Sequence, residues 1–185
     1  DEAGRGPLAG PVVAAAVILP ESDILPGLND SKKLTEKKRE ALYEQLVTEP
    51  NIFYSVGIVE SQIIDEINIL RATHLAMRKA VEGMKKIPDI CLIDGLPVRD
   101  FPFPQESIVK GDARCLAIAA ASIVAKVTRD RIMKEYALMY PEYGFERHCG
   151  YGTKLHLEAL EKHGPVPIHR RSFAPVAQAS LPLFP

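Results

Sequence analysis

Short apolar runs and long amphipathic stretches alternate along this chain, and the alternation leaves few architectures open. Val12 to Leu19 is a continuous apolar run of strand length, and Tyr54 to Val59, Ile90 to Asp94 and Ser107 to Lys110 read as further short strands. Helical patterns lie between them. Thr35 is placed to cap a helix running to about Thr48. Asn68 can cap a longer one with Ile69, Thr73, Ala76, Ala80 and Met84 on one face. Ala113 to about Met139 carries Leu116, Ala120, Ile123, Val124 and Val127 at core spacing, and a last helix is expected near Thr153 to His163. Strands interleaved with helices predict an α/β or α+β domain on a mixed sheet. At 185 residues this is one domain.

Composition narrows the function classes. With 46% apolar residues the chain can bury a real core, which excludes disorder. Its 23 Lys+Arg against 24 Asp+Glu argue against a polybasic nucleic-acid coat. Two stretches are nevertheless locally basic: Ser31 to Glu40 holds five basic and two acidic residues, and Lys110 to Lys134 holds six and two. No apolar run is long enough to cross a bilayer. Cys91, Cys115 and Cys149 form no CxxC pair, so a disulfide framework and a zinc ribbon both fail; a monomer in a reducing cytoplasm is expected. The chain opens on Asp1 with no Met and no charged-then-apolar leader, so a strand is expected ahead of Asp1 and secretion is not. No P-loop and no G-x-S-x-G is present.

Four acids occupy positions a stability argument would not choose. Asp1 and Glu2 are adjacent in a Gly-rich string, Asp94 ends an apolar strand, and Asp112 follows Lys110-Gly111 just before a long helix. Acids at strand ends and helix starts can converge at one sheet edge, where they repel one another unless cations are bound. Divalent ions can clamp the attacking and leaving oxygens of a phosphodiester. Each acid also has an ordinary reading, as a helix cap, a turn or a solvated terminus, and taken singly those readings lead.

A longer pattern weighs against them. The opening Asp1-Glu-Ala-Gly-Arg-Gly-Pro-Leu-Ala-Gly-Pro-Val12 resembles the signature of type 2 ribonucleases H, most closely the bacterial form, ribonuclease HII. The resemblance continues through Asp30-Ser-Lys-Lys-Leu34, Ile93-Asp94-Gly95, Lys110-Gly111-Asp112, Ala119 to Asp130, Gly150-Tyr-Gly-Thr153 and His169 to Pro175. It implies an α/β ribonuclease H-like fold over residues 1–175, a mixed sheet flanked by helices with a helical C-terminal part. Asp1, Glu2, Asp94 and Asp112 match the family's catalytic, metal-binding acids, with magnesium or manganese as cofactor. The implied substrates are RNA–DNA hybrids and DNA duplexes with embedded ribonucleotides. These would be cut 5′ of the ribonucleotide to leave 5′-phosphate and 3′-hydroxyl ends, in ribonucleotide excision repair and primer removal. A noncatalytic hybrid-binding or clamp-associated module on the same fold is the alternative.

The resemblance also assigns substrate contacts. Only the 2′-hydroxyl distinguishes a ribonucleotide at a given site. Gly4-Arg5-Gly6 matches the triplet that senses it through backbone groups, because glycines let a sugar approach closely. Tyr151 matches the tyrosine that packs on the following sugar. Lys32, Lys33, Lys110, Arg114 and Lys126 are candidate phosphate contacts, which position a duplex without reading its sequence. A histidine can shuttle a proton, but a structural role is expected for His148 and His169. Residues 176–185 read as a Pro-rich tail in which Gln178, Leu181, Leu183 and Phe184 are similar to sliding-clamp-binding peptides. Ala179 departs from that pattern, and packing on the chain's own domain is the even alternative.

Overall fold

The computed structural model describes residues 1–20, 27–28, 31 and 34–179. Strand β2 (Val12–Ile18) is central to one sheet. It runs antiparallel to β1 (Glu2–Ala3), with Glu2 opposite Ala14, and to β3 (Phe53–Val59), with Val12 opposite Val59. A second sheet pairs β4 (Cys91–Asp94) with β5 (Gln105–Ile108) in parallel. The strand directions are therefore mixed, as expected, but divided over two sheets among the described residues.

The continuous apolar run of β2 is explained by what covers it. Val12 and Ala14 pack with Ile64, Ala72, Ala76 and Ala80 of α2 (Ser61–Glu82), along with Cys91 and Ile93 of β4. Val13 and Ala15 point the other way, to Leu42 and Leu46 of α1 (Glu36–Thr48) and to Ala120, Ile123 and Val124 of α3 (Leu116–Met139). A strand buried on both faces loses the usual alternation of apolar and polar residues. Small residues allow a close approach. A Cβ on Gly57 would stand 2.0 Å from the Ala76 carbonyl oxygen, so α2 lies directly against β3.

Thr35 caps α1 as expected, accepting from Lys38 N. Asn68 also caps, through Oδ1 to Arg71 N at 3.1 Å. It does so inside a longer helix, however: α2 begins at Ser61 and breaks where Asn68 adopts φ 68° and ψ 163°. The added first half holds the C-terminal segment, with Asp65 accepting from Arg171 N, Ser172 N and Ser172 Oγ. Helix α3 starts at Leu116 rather than Ala113, because Gly111–Ala113 forms a separate 3₁₀ turn.

Beyond α3 come a 3₁₀ turn at Pro141–Tyr143, α4 (Phe145–His148), α5 (Lys154–His163, capped by Thr153) and α6 (Ala174–Ala179). Tyr143, Phe145, Met133 and Ile168 form their core. The boundary expected at residue 175 lies within α6, whose Val176 is buried with Leu8 and Leu160, while Gln178 is exposed. Lys32, Lys33, Leu181, Leu183 and Phe184 lie outside the described residues. The three cysteines are free. Among the described residues, no helix is long and apolar enough to cross a membrane.

Candidate active site

Three acids converge from separate elements. Asp1 enters β1 with its carbonyl accepting from Ala15 N at 2.9 Å, Asp94 ends β4, and Asp112 sits in the turn before α3. Asp94 Oδ1 accepts from Gly111 N at 2.7 Å, which fastens that turn to the strand end. A Cβ on Gly111 would meet Ile118 at 2.5 Å and Asp94 Oδ1 at 3.3 Å, so a side chain there would disturb both. One carboxylate oxygen from each of Asp1, Asp94 and Asp112 lies within 4.8 Å of the others. Three such charges destabilise one another unless a cation is present.

Glu2 stands beside the trio rather than in it. Its Oε1 lies 3.6 Å from Arg5 Nη1, and Oε2 is buried with no hydrogen-bond partner among the described residues. An orphaned carboxylate oxygen next to three convergent ones is a hard, all-oxygen donor set of the kind that suits magnesium or manganese. These residues fit a divalent cation.

A cleft of about 310 Å³ runs from Asp1 and Glu2 past Gly4–Gly6 to Tyr151, with Ser31, Ser122 and Lys126 also lining it. The two glycines sit in different surroundings. Gly4 is buried at φ +91°, and a Cβ there would stand 2.0 Å from Arg129 Nε; its missing side chain makes room for an arginine. Gly6 is exposed, and a Cβ would sit an ordinary 3.6 Å from the Tyr151 ring, facing the cleft. Tyr151 is 47% exposed and fixed by its backbone: N donates to His148 O at 2.9 Å, while O accepts from Thr153 N at 2.8 Å.

The basic candidates are spread out. Lys110 and Arg114 are exposed on either side of Asp112. Lys126 is half-buried and ion-paired to Asp130 at 2.5 Å. Ser122 Oγ donates to Ser31 Oγ at 2.5 Å, tying the segment before Lys32 to α3.

Behind the cleft, the three buried histidines His148, His156 and His169 all have hydrogen-bond partners. Carbonyls only accept, so His156 Nδ1, 3.0 Å from Tyr151 O, is the donor. Its Nε2 then accepts from His169 Nε2 at 3.0 Å, and His169 Nδ1 accepts from Val166 N. His148 donates from Nε2 to Tyr143 O and accepts from Gly150 N. Burial lowers the pKa of His156 and takes that of His169 down to about 4, with His156 adding to the latter shift.

Sequence reasoning missed two fully buried cations. Arg129 donates to the carbonyls of Ala9, Pro11 and Cys149, and Arg170 to those of Gly4, Arg5, Pro7 and Gly10. The one available signal was an arginine between Val127 and Met133 on an otherwise apolar helix face. It also missed His74 on α2, held below the usual histidine range by burial and by the charges of Arg5 and Arg99.

The family described as Ribonuclease HII matches residues 1–176. The chain belongs to the ribonuclease HII family. It is a type 2 ribonuclease H, a hydrolase of the nuclease class. Ribonuclease HII of Endomicrobium trichonymphae is 61% identical over 177 residues, covering 95% of this chain and 84% of that protein. The Enterococcus faecalis ribonuclease HII is 58% identical over 176 residues, covering 95% and 68%. Among solved structures, ribonuclease H2 from Pyrococcus horikoshii OT3 superposes with a TM-score of 0.80 at 28% identity, covering 97% of this chain and 94% of that one. Bst-RNase HIII in complex with Mn²⁺ shares the fold at TM-score 0.72 and 18% identity, over 97% of this chain and 67% of that one.

Proposed function

We propose that this ribonuclease HII hydrolyses the phosphodiester on the 5′ side of a ribonucleotide, in RNA–DNA hybrids and in DNA duplexes with embedded ribonucleotides, by attack of water. Products carry 5′-phosphate and 3′-hydroxyl ends. The observation that carries the reading is the convergence of Asp1, Asp94 and Asp112 oxygens within 4.8 Å, with Asp1 itself lining a cleft that also contains Gly6 and Tyr151. These acids, with Glu2, would hold magnesium or manganese. Such an ion, when bound, supplies positive charge against the scissile phosphate and makes water a better nucleophile.

The chain's own residues orient the substrate. Gly6 leaves room for a sugar against the exposed face of Tyr151, and an aromatic ring is a good stacking surface. Lys110, Arg114, Lys126, Lys32 and Lys33 would contact phosphates and add affinity that falls with salt. Ribonucleotide excision repair and primer removal follow as cellular roles for a monomer in the cytoplasm. Gln178, Leu181, Leu183 and Phe184 are proposed to engage a sliding clamp; a structure of a PCNA:RNase HII complex from Archaeoglobus fulgidus exists among proteins of this fold. Deleting residues 180–185 should then reduce clamp binding without altering cleavage of a short duplex.

The deciding experiment is cleavage of a DNA duplex containing one ribonucleotide, with magnesium, with manganese and with EDTA. A metal-dependent nick immediately 5′ of the ribonucleotide is expected. Cleavage confined to long RNA–DNA hybrids would overturn the single-ribonucleotide reading, and intact binding without cleavage would overturn the proposed hydrolysis.

A further inference from the structure

Arg170 is a full cation with no exposed surface, and its guanidinium is matched by peptide oxygens of the cleft loop. Nε donates to Gly10 O at 3.0 Å, Nη1 to Arg5 O at 2.9 Å and Pro7 O at 2.8 Å, and Nη2 to Gly4 O at 2.5 Å. Burying a charge this way is costly, and burial with the nearby charge of Arg129 lowers its pKa to about 9. A device that costs this much should do something a neutral side chain cannot.

Peptide geometry says what. In a planar trans peptide the carbonyl of one residue and the N–H of the next point in opposite directions. With the Gly4 and Arg5 carbonyls turned onto Arg170, the N–H groups of Arg5 and Gly6 are turned away from it. Both residues are exposed, and neither N–H donates to a described residue. The same rule has a check inside the loop. Pro7 O also faces Arg170, and the following Leu8 N–H duly points away, donating to Gly150 O at 2.8 Å beside Tyr151. One guanidinium thus orients the loop and ties it to the tyrosine turn.

We infer that Arg170 is a positioning residue for ribonucleotide selection, holding the Arg5 and Gly6 N–H groups as preset donors to the 2′-oxygen. The inference rests on the proposed reading of Gly4–Gly6 as the sugar-facing loop. Lysine cannot replace the fork, since an ammonium is a point donor and cannot reach four carbonyls in this geometry. The segment bearing Arg170 is itself held by Asp65, which accepts from Arg171 N and from Ser172 N and Oγ, and Phe173 covers the guanidinium at 5.2 Å. Asp65 therefore acts on the same loop from a distance.

The test uses the full chain, a duplex with one ribonucleotide as substrate and the all-DNA duplex of the same sequence as competitive inhibitor. Arg170→Lys and Asp65→Ala are compared with wild type and with Gly6→Ala. For Arg170→Lys, KM on the ribonucleotide duplex should rise roughly tenfold toward the Ki of the DNA duplex, the scale of one or two lost hydrogen bonds. Ki itself should stay unchanged, with a smaller shift of the same kind for Asp65→Ala. An unfolded fraction lowers apparent kcat but does not move the ratio of Ki to KM. If Gly6→Ala collapses the ratio while Arg170→Lys and Asp65→Ala leave it at the wild-type value, the positioning role is overturned and the loop reading stands. If none of the three variants moves it, the loop reading itself is wrong. Should Arg170→Lys fail to fold, Asp65→Ala decides on the same ratio.

Discussion

Two polar regions of this domain are built on opposite principles. In the acidic cleft, like charges from Asp1, Asp94 and Asp112 are gathered within 4.8 Å and Glu2 Oε2 is left without a partner among the described residues. In the hub formed by Arg129, Arg170, His148, His156 and His169, every described ring nitrogen and guanidinium bond has an acceptor or donor at hydrogen-bonding distance. The first region is unstable until something binds; the second is complete without a ligand. The proposed chemistry uses the unfinished site, and the finished region gives that site a fixed shape.

Removing a carboxylate should therefore cost activity and spare the fold. Asp94→Asn or Asp112→Asn is expected to lower the single-turnover rate by more than about 100-fold, since even outer partners of metal ligands are worth ten- to 100-fold. The melting temperature in EDTA should hold or rise as like-charge repulsion is relieved. A rate within a few-fold of wild type would break the comparison on its acidic side. The hub should respond the other way. Phe145 is fully buried and packs against Tyr143 and the three histidines. Phe145→Ala should cost about 3–5 kcal/mol of stability. Activity per folded molecule, measured at low temperature, should change little. Equal losses of rate and stability would show that the two regions are not separable.

Acid should weaken the hub as well. His169 is neutral and buried, with its pKa lowered to about 4 from an ordinary 6.5, and that of His156 is lowered too. A base whose folded pKa is depressed contributes stability that is complete above the unfolded value. That stability is lost progressively as pH falls from 6.5 toward 4. Melting curves from pH 7.5 to 4.5 should show it as a falling midpoint, with a shallower slope in His169→Asn. Identical slopes in the two proteins would remove the hub from the account of acid sensitivity.

The acids stood out in the sequence by local position, Asp94 at the end of an apolar run and Asp112 before a helix, but their ordinary readings led singly and only the family resemblance joined them into a site. The helices capped by Thr35 and Thr153 were legible from local position. The arginines were not. Arg170 meets carbonyls 160 or more positions away, and nothing in a His-Arg-Arg string distinguishes a buried guanidinium from a solvated one. The first half of α2 was hidden by its own cap signal, since an Asn at a helix start does not announce a second helix joined ahead of it. Gly4 and Gly6 looked alike for a related reason. A glycine's role is set by what would occupy its missing Cβ, and that is a tertiary fact.

That pair supplies the finest division between the two regions. Gly4 belongs to the hub. Alanine there would clash with Arg129 and would have to adopt φ +91°, so Gly4→Ala should be destabilised and lose activity through misplacement of the whole loop. Gly6 belongs to the cleft. Its added methyl meets only the Tyr151 ring edge, at 3.6 Å, so Gly6→Ala should melt within about 0.5 kcal/mol of wild type. The methyl instead narrows the gap where the sugar is proposed to sit. The expected result is a several-fold rise in KM for the single-ribonucleotide duplex, with little change in the affinity of the acids for manganese measured by calorimetry. Truncating the other wall should restore space, so Gly6→Ala combined with Tyr151→Leu should lose less than the two single changes add up to. Strict additivity would mean that the loop and the tyrosine do not grip the same sugar.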